Sequence, residues 1–124
     1  SRGLGDVYKR QLQNWGQSTV ESLLESKIVQ SHMSVFASGG VRNPFDAIKC
    51  LALGADAVGM SRPFLEQVEN NGVEQTIEYV EAFIEQMKKI AVMANVPNIE
   101  AIHNLEVIYD QSLQNWIQQR NLNQ

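Results

Sequence analysis

The sequence predicts an α/β fold with a parallel pair of strands, and three observations carry that expectation. Two short apolar runs, residues 35–37 and 55–60, are bounded by glycine and polar residues and are too short for helices. The segment between them is amphipathic, with a start signal at Asn43-Pro44 and a stop signal at Gly54. Each run also ends in a glycine-bearing loop, Ser38-Gly39-Gly40 and Gly59-Met60-Ser61. Strand, helix, strand in that order is a βαβ unit, whose strands lie parallel in one sheet.

Taken in order, residues 12–16 close an earlier connection, with Trp15 as a packed aromatic. Ser18-x-x-Glu21 is a capping box, and Val20, Leu23, Leu24 and Ile28 follow at helical spacing, which predicts a helix over 19–29. His32 falls in the loop before the first strand, at the opposite end from Gly39, where a solvated surface position is expected. The strand 35–38 is nearly all apolar or small, the pattern of a strand buried on both faces. Asn43 then caps a helix with Pro44 at its first position and Asp46 in its first turn. Ala47, Ile48, Leu51 and Ala52 make its sheet-facing stripe, and Lys49 points to solvent. Gly54 ends it in a left-handed cap, and the second strand follows over 55–60.

Arg62-Pro63 opens a short helix to residue 69, broken by Asn70-Asn71-Gly72. The longest helix is expected over 73–95, with Ile77, Val80, Ile84, Met87 and Ala91 on one stripe. Its Glu74, Glu78, Glu81 and Glu85 form a solvated face, and with no His or Asp beside them they make no metal site. Val96-Pro97 stops the helix. Residues 98–103 and 105–120 read as a short helix and a longer one, the latter on Leu105, Ile108, Tyr109, Leu113, Trp116 and Ile117. His103, between them, is expected to be structural.

Composition sets bounds on function. A chain of 124 residues with 44% hydrophobic and 19% charged content is an ordinary globular chain, not a disordered one. Net charge of −4 argues against nucleic acid or an anionic membrane surface as the main partner. No apolar run approaches the ~20 residues of a membrane span, and no signal peptide is visible. The single Cys50 excludes an internal disulfide and suits a reducing, cytoplasmic setting. Residues 1–11 have no usable periodicity, and their charge of +2 opposes −6 for the remainder. They resemble one reading frame through a transposase adapter used in DNA library preparation, and are set aside as a non-native leader. Gly3-Leu4-Gly5 inside them lacks the third glycine and the preceding strand of a dinucleotide fingerprint.

The chemistry is expected where the two strands end, because loops at the C-terminal ends of parallel strands make the ligand site. Gly39 and Gly40 leave no side chain between their amides and a ligand, and the start of the Pro44 helix adds further N–H groups to an anion cup. Arg42 adds a guanidinium that grips phosphate through two bonds. Alone, a Gly-Gly pair more often does nothing but turn the chain. The second glycine-bearing end, with a helix start at Arg62-Pro63, moves the balance toward phosphate, as after strands 7 and 8 of a (β/α)₈ barrel.

The stretch ASGGVRNPFDAIKCLALGADAVGMSRPFL resembles the FMN-phosphate segment of the type 2 isopentenyl-diphosphate isomerase family. Its pattern of Gly-Gly, Arg, Asp and KCLALGA is similar, more broadly, to other FMN-dependent barrels, including 2-hydroxy-acid oxidases, and to inosine-monophosphate dehydrogenase. Those more often carry Asp-Gly-Gly where this chain has Ser38-Gly39-Gly40, and NWGQSTVESLLE upstream also resembles the isomerases more. The resemblance runs from about Leu12 to the end and is strongest through Leu65.

It implies the C-terminal part of a TIM barrel, the last two strands and their helices over residues 12–95, with a helical C-terminal extension over 96–124. A barrel needs ~250 residues, so the chain would be part of a longer enzyme. Carried over by position, the FMN phosphate would meet Gly39, Gly40, Val41 and Arg42 from the first strand end. Gly59, Met60, Ser61 and Arg62 would meet it from the second. The family interconverts isopentenyl and dimethylallyl diphosphate with reduced FMN as acid/base, Mg²⁺ on the substrate diphosphate and NADPH to reduce the flavin. A homo-oligomer is implied for the full-length protein. The family's metal-binding carboxylate and basic substrate residues lie earlier in the barrel, so no catalytic or metal residue is assigned here. Two alternatives stay open. A 2-hydroxy-acid oxidase would need a catalytic His close before this region, and residues 12–31 contain none. A non-catalytic phosphate-binding fragment is the other.

Overall fold

The computed structural model describes residues 16–122, and its element order follows the alternation of the sequence. Helix α1 (Thr19–Ser26) leads into strand β1 (Phe36–Ser38), helix α2 (Pro44–Ala52) and strand β2 (Ala57–Gly59). Helices α3 (Arg62–Met93), α4 (Ile99–His103) and α5 (Gln111–Gln119) follow. The two strands pair in parallel, with Phe36 opposite Ala57, Ala37 opposite Val58 and Ser38 opposite Gly59. Residues 1–11 and Trp15 lie outside the described residues.

The helix ends are set by side chains. At α1, Ser18 Oγ accepts from the Glu21 amide at 3.2 Å and Glu21 Oε2 accepts from the Ser18 amide at 2.7 Å, which completes the capping box. Asn43 Oδ1 accepts from the Asp46 amide at 2.9 Å, with Pro44 in the first turn of α2. Gly54, at φ +101, closes α2 with the Ala55 amide donating to the Cys50 carbonyl at 3.1 Å.

Among the described residues, two clusters make the core. One joins Leu23 and Leu24 of α1 to Ala37 of β1, Ala47 and Cys50 of α2, and Phe83 of α3. The other joins Ile48 and Leu51 to Ile102 of α4, with Val58 packed against both. His103 contributes its ring: Nε2 lies 3.0 Å from the carbonyl of Ala55, which is fully buried. The structural role expected of His103 is thus visible, and His32 is exposed as expected.

Several expectations need correction. Helix α1 stops at Ser26 and not at 29, because turns bonding Val29 to Ser26 and His32 to Val29 take over; Ile28 is exposed. Strand β1 is not buried on both faces: Ala37 is inside, while Phe36 is 73% exposed. The break in α3 is one residue long. Asn70 and Asn71 stay helical and only Gly72, at φ +80, leaves the helical region, its carbonyl accepting from Thr76 Oγ1 at 2.7 Å. The buried stripe of α3 follows the expected one only in part: Val80, Met87 and Ala91 are half-buried, but the fully buried positions lie elsewhere. Thr76 and Phe83 face inward with Tyr79 and Met87, while Ile77 and Ile84 face out. Residues 105–110 form no helix where one was expected. Leu105, Val107 and Tyr109 turn inward and Glu106, Ile108 and Asp110 outward, a period of two. Helix α5 begins only after Asp110, whose carboxylate accepts from the Leu113 amide at 2.8 Å.

Candidate functional site

The parallel register places Ser38 beside Gly59, so the chain leaves the sheet twice at one edge. A cleft of about 670 Å³ opens there. Gly39, Gly40, Val41 and Arg42 line it from the first loop, and Gly59, Met60, Ser61 and Arg62 from the second. Every site residue named from the sequence therefore borders one space.

Local conformation explains the glycines. Gly39 and Gly40 hold φ of +106 and +71, which side chains disfavour, and a Cβ on Gly40 would meet nothing within 4 Å. Gly40 thus presents bare backbone to the cleft. At Gly59 a Cβ would come within 3.4 Å of the Ser38 side chain on the neighbouring strand. Outside the helices and the strand ladder, no backbone hydrogen bond among the described residues engages the amides of Gly40, Val41 or Ser61. Ser61 precedes α3 without a side-chain capping bond, so its hydroxyl and the first turn of α3 are also uncommitted.

The charges are less uniform than the sequence suggests. Arg42 is exposed and joins no ion pair among the described residues. Arg62 is tied to Glu66, Nε to Oε1 at 3.0 Å, so the two cations are not equivalent. The Arg42 amide donates to Asp46 Oδ2 at 3.2 Å and is not available to a ligand. That carboxylate is felt deeper in α2 as well: burial first, and Asp46 second, push the Cys50 thiol up from its ordinary value.

The sequence reading missed four contributors. Glu66, Gln67 and Tyr79 line the cleft, and Thr19 supports it from outside through a 2.7 Å bond to the Gly39 carbonyl. Tyr79 is oriented by Phe64, 5.9 Å away edge to face. The i, i+4 pair Tyr79 and Phe83 was the available signal for an inward face there. Among the described residues, no three His, Cys, Asp or Glu side chains converge as metal ligands, and no helix is long and apolar enough to cross a membrane.

Open glycine backbone, amides and a guanidinium unengaged among the described residues, and an uncapped helix start together suit a phosphate group. The family model for FMN-dependent dehydrogenase matches residues 10–108. The chain belongs to the FMN-dependent dehydrogenase family. Among curated proteins, an isopentenyl-diphosphate delta-isomerase of Staphylococcus aureus (strain Newman) is 59% identical over 112 residues, covering 90% of this chain and 32% of its own length. One from Staphylococcus epidermidis is 57% identical over 111 residues, again 90% of this chain and 32% of the relative. This member of the FMN-dependent dehydrogenase family thus spans about a third of the length of the curated relatives it matches.

Proposed function

We propose that this chain is the C-terminal third of an isopentenyl-diphosphate delta-isomerase, in which it supplies the cup for the FMN phosphate. The observation that carries the reading is the convergence of both glycine-bearing strand ends on one cleft. The 59% identity to a protein named for that reaction supports the choice among FMN-dependent enzymes.

In this reading the amides of Gly40, Val41 and Ser61 donate to phosphate oxygens, and the Arg42 guanidinium adds a charge-assisted contact. Gly59 and Met60 form the second wall, and Arg62, already paired with Glu66, contributes field more than direct grip. The cup's work is to hold and orient. When bound, reduced FMN supplies the acid/base group for proton exchange at the allylic carbons. Mg²⁺ on the substrate diphosphate, NADPH as reductant and homo-oligomeric assembly belong to the whole enzyme; no residue here is assigned to them.

The two strands are, on the same reading, the last two of a (β/α)₈ barrel. Among the described residues each has one unpaired edge, and Phe36 and Met33 beside them are 73% and 63% exposed, as surfaces awaiting neighbouring strands would be.

The test joins residues 12–124 behind the N-terminal portion of the Staphylococcus aureus relative. Supplied with FMN, NADPH and Mg²⁺, the joined protein should convert isopentenyl diphosphate to dimethylallyl diphosphate. Oxidation of a 2-hydroxy acid instead, or no isomerase activity in a folded protein that binds FMN, would overturn the assignment.

A further inference from the structure

The Gly39–Gly40 peptide is sandwiched between a hydroxyl and the cleft. Thr19 Oγ1 donates to the Gly39 carbonyl at 2.7 Å and lies 3.3 Å from the Ser38 carbonyl. In a trans peptide, C=O of one residue and N–H of the next point in opposite directions, and no peptide bond among the described residues is cis. A Gly39 carbonyl held toward Thr19 therefore sends the Gly40 amide the other way. Gly40 lines the cleft and Thr19 does not, so that other way is the cleft.

A link between two glycines has little intrinsic preference for one orientation of its peptide plane. Reversing the plane would replace a donor by a carbonyl oxygen and oppose any anion in the cleft. The structure holds a device against that reversal on a rigid element. Thr19 opens α1, whose capping box is complete, whose Leu23 and Leu24 are buried, and whose Glu25 is held by Arg120. The fit is close: a Cβ on Gly39 would stand 3.1 Å from Thr19 Oγ1.

We propose that Thr19 is a positioning residue that locks the Gly39–Gly40 peptide with its N–H toward the cleft, and so makes the site selective for phosphorylated flavin. This rests on the cofactor reading above. Thr19 touches neither cofactor nor substrate; it acts through the peptide.

The test uses the joined protein, with FMN and riboflavin titrated separately and followed by flavin fluorescence. Thr19→Val keeps the shape and removes the hydroxyl, and Thr19→Ser keeps the hydroxyl. Thr19→Val should weaken FMN roughly three- to ten-fold, the usual worth of one net hydrogen bond, and leave riboflavin unchanged. Thr19→Ser should bind FMN within about two-fold of the parent on the same scale. Equal loss of FMN and riboflavin in Thr19→Val would make Thr19 merely structural and overturn the proposal. Unchanged FMN binding in Thr19→Val, with loss in Gly40→Val, would overturn the lock while leaving the phosphate site standing. Unchanged binding in both variants would overturn the phosphate site, and the lock with it.

Discussion

Arg120 Nε lies 2.7 Å from Glu25 Oε1, joining the end of α5 to α1 across 95 residues of sequence. Leu113, Ile117 and Leu122 pack against the same core as Leu23 and Leu24, so the ion pair closes over an apolar contact. The C-terminal segment is thereby fastened to the helix whose first residue holds the glycine loop. The Glu25 carboxylate raises the Arg120 guanidinium above its ordinary value, first by hydrogen bonding and then by charge. That contribution is fully present below the ordinary arginine value and is lost only in strongly alkaline solution. Arg120→Ala should therefore lower the melting temperature slightly and by the same amount at pH 7 and pH 9. High salt should shrink the difference, because the Arg120 side chain is 58% exposed. Scanning calorimetry at two salt concentrations measures it.

Cys50 is 5% exposed, and its thiol is pushed up by burial and by Asp46. The native state thus keeps its proton where the unfolded chain gives it up. Stability should fall as pH rises through the ordinary thiol range, since the native state then binds more protons than the unfolded one. The thiol should also react with a disulfide reagent such as Ellman's only after denaturation. Fast titration of the folded protein at pH 8 would show that the α2 core is open.

Among the described residues Leu24 is the largest fully buried side chain, at 2% exposure. Leu24→Ala should cost about 2–5 kcal/mol, the range for deleting a packed leucine. Urea unfolding followed by circular dichroism measures the loss. A cost under about 1 kcal/mol would mean that α1 does not pack as described.

What the sequence disclosed well was whatever local chemistry decides. Asn43, Pro44 and Gly54 bracket α2, Ser18 and Glu21 start α1, and the paired glycine ends meet at one edge. What it concealed depends on which neighbours are present. The stripe of α3 could be drawn through Ile77 and Ile84 or through Thr76 and Phe83, and only packing against Phe64 and α2 chooses the latter. Residues 105–110 fit both a helical and an alternating pattern, and with Asp110 capping a helix that starts only at Gln111 the alternating one holds. Thr19 was readable as a helix start, but a bond to a carbonyl 20 residues away leaves no local signal. Nor could spacing reveal that Asp46 takes the Arg42 amide or that Glu66 engages Arg62.

A cleft that holds the FMN phosphate between the two strand ends should reveal itself in flavin titration of the joined protein. The parent should bind FMN and quench its fluorescence. Arg42→Ala should bind about 10- to 100-fold more weakly, as loss of one charge-assisted contact. Gly40→Val should lose most binding, because Val strains at φ +71 and its side chain enters the space that the phosphate needs. Gly40→Val binding FMN as tightly as the parent would contradict the account.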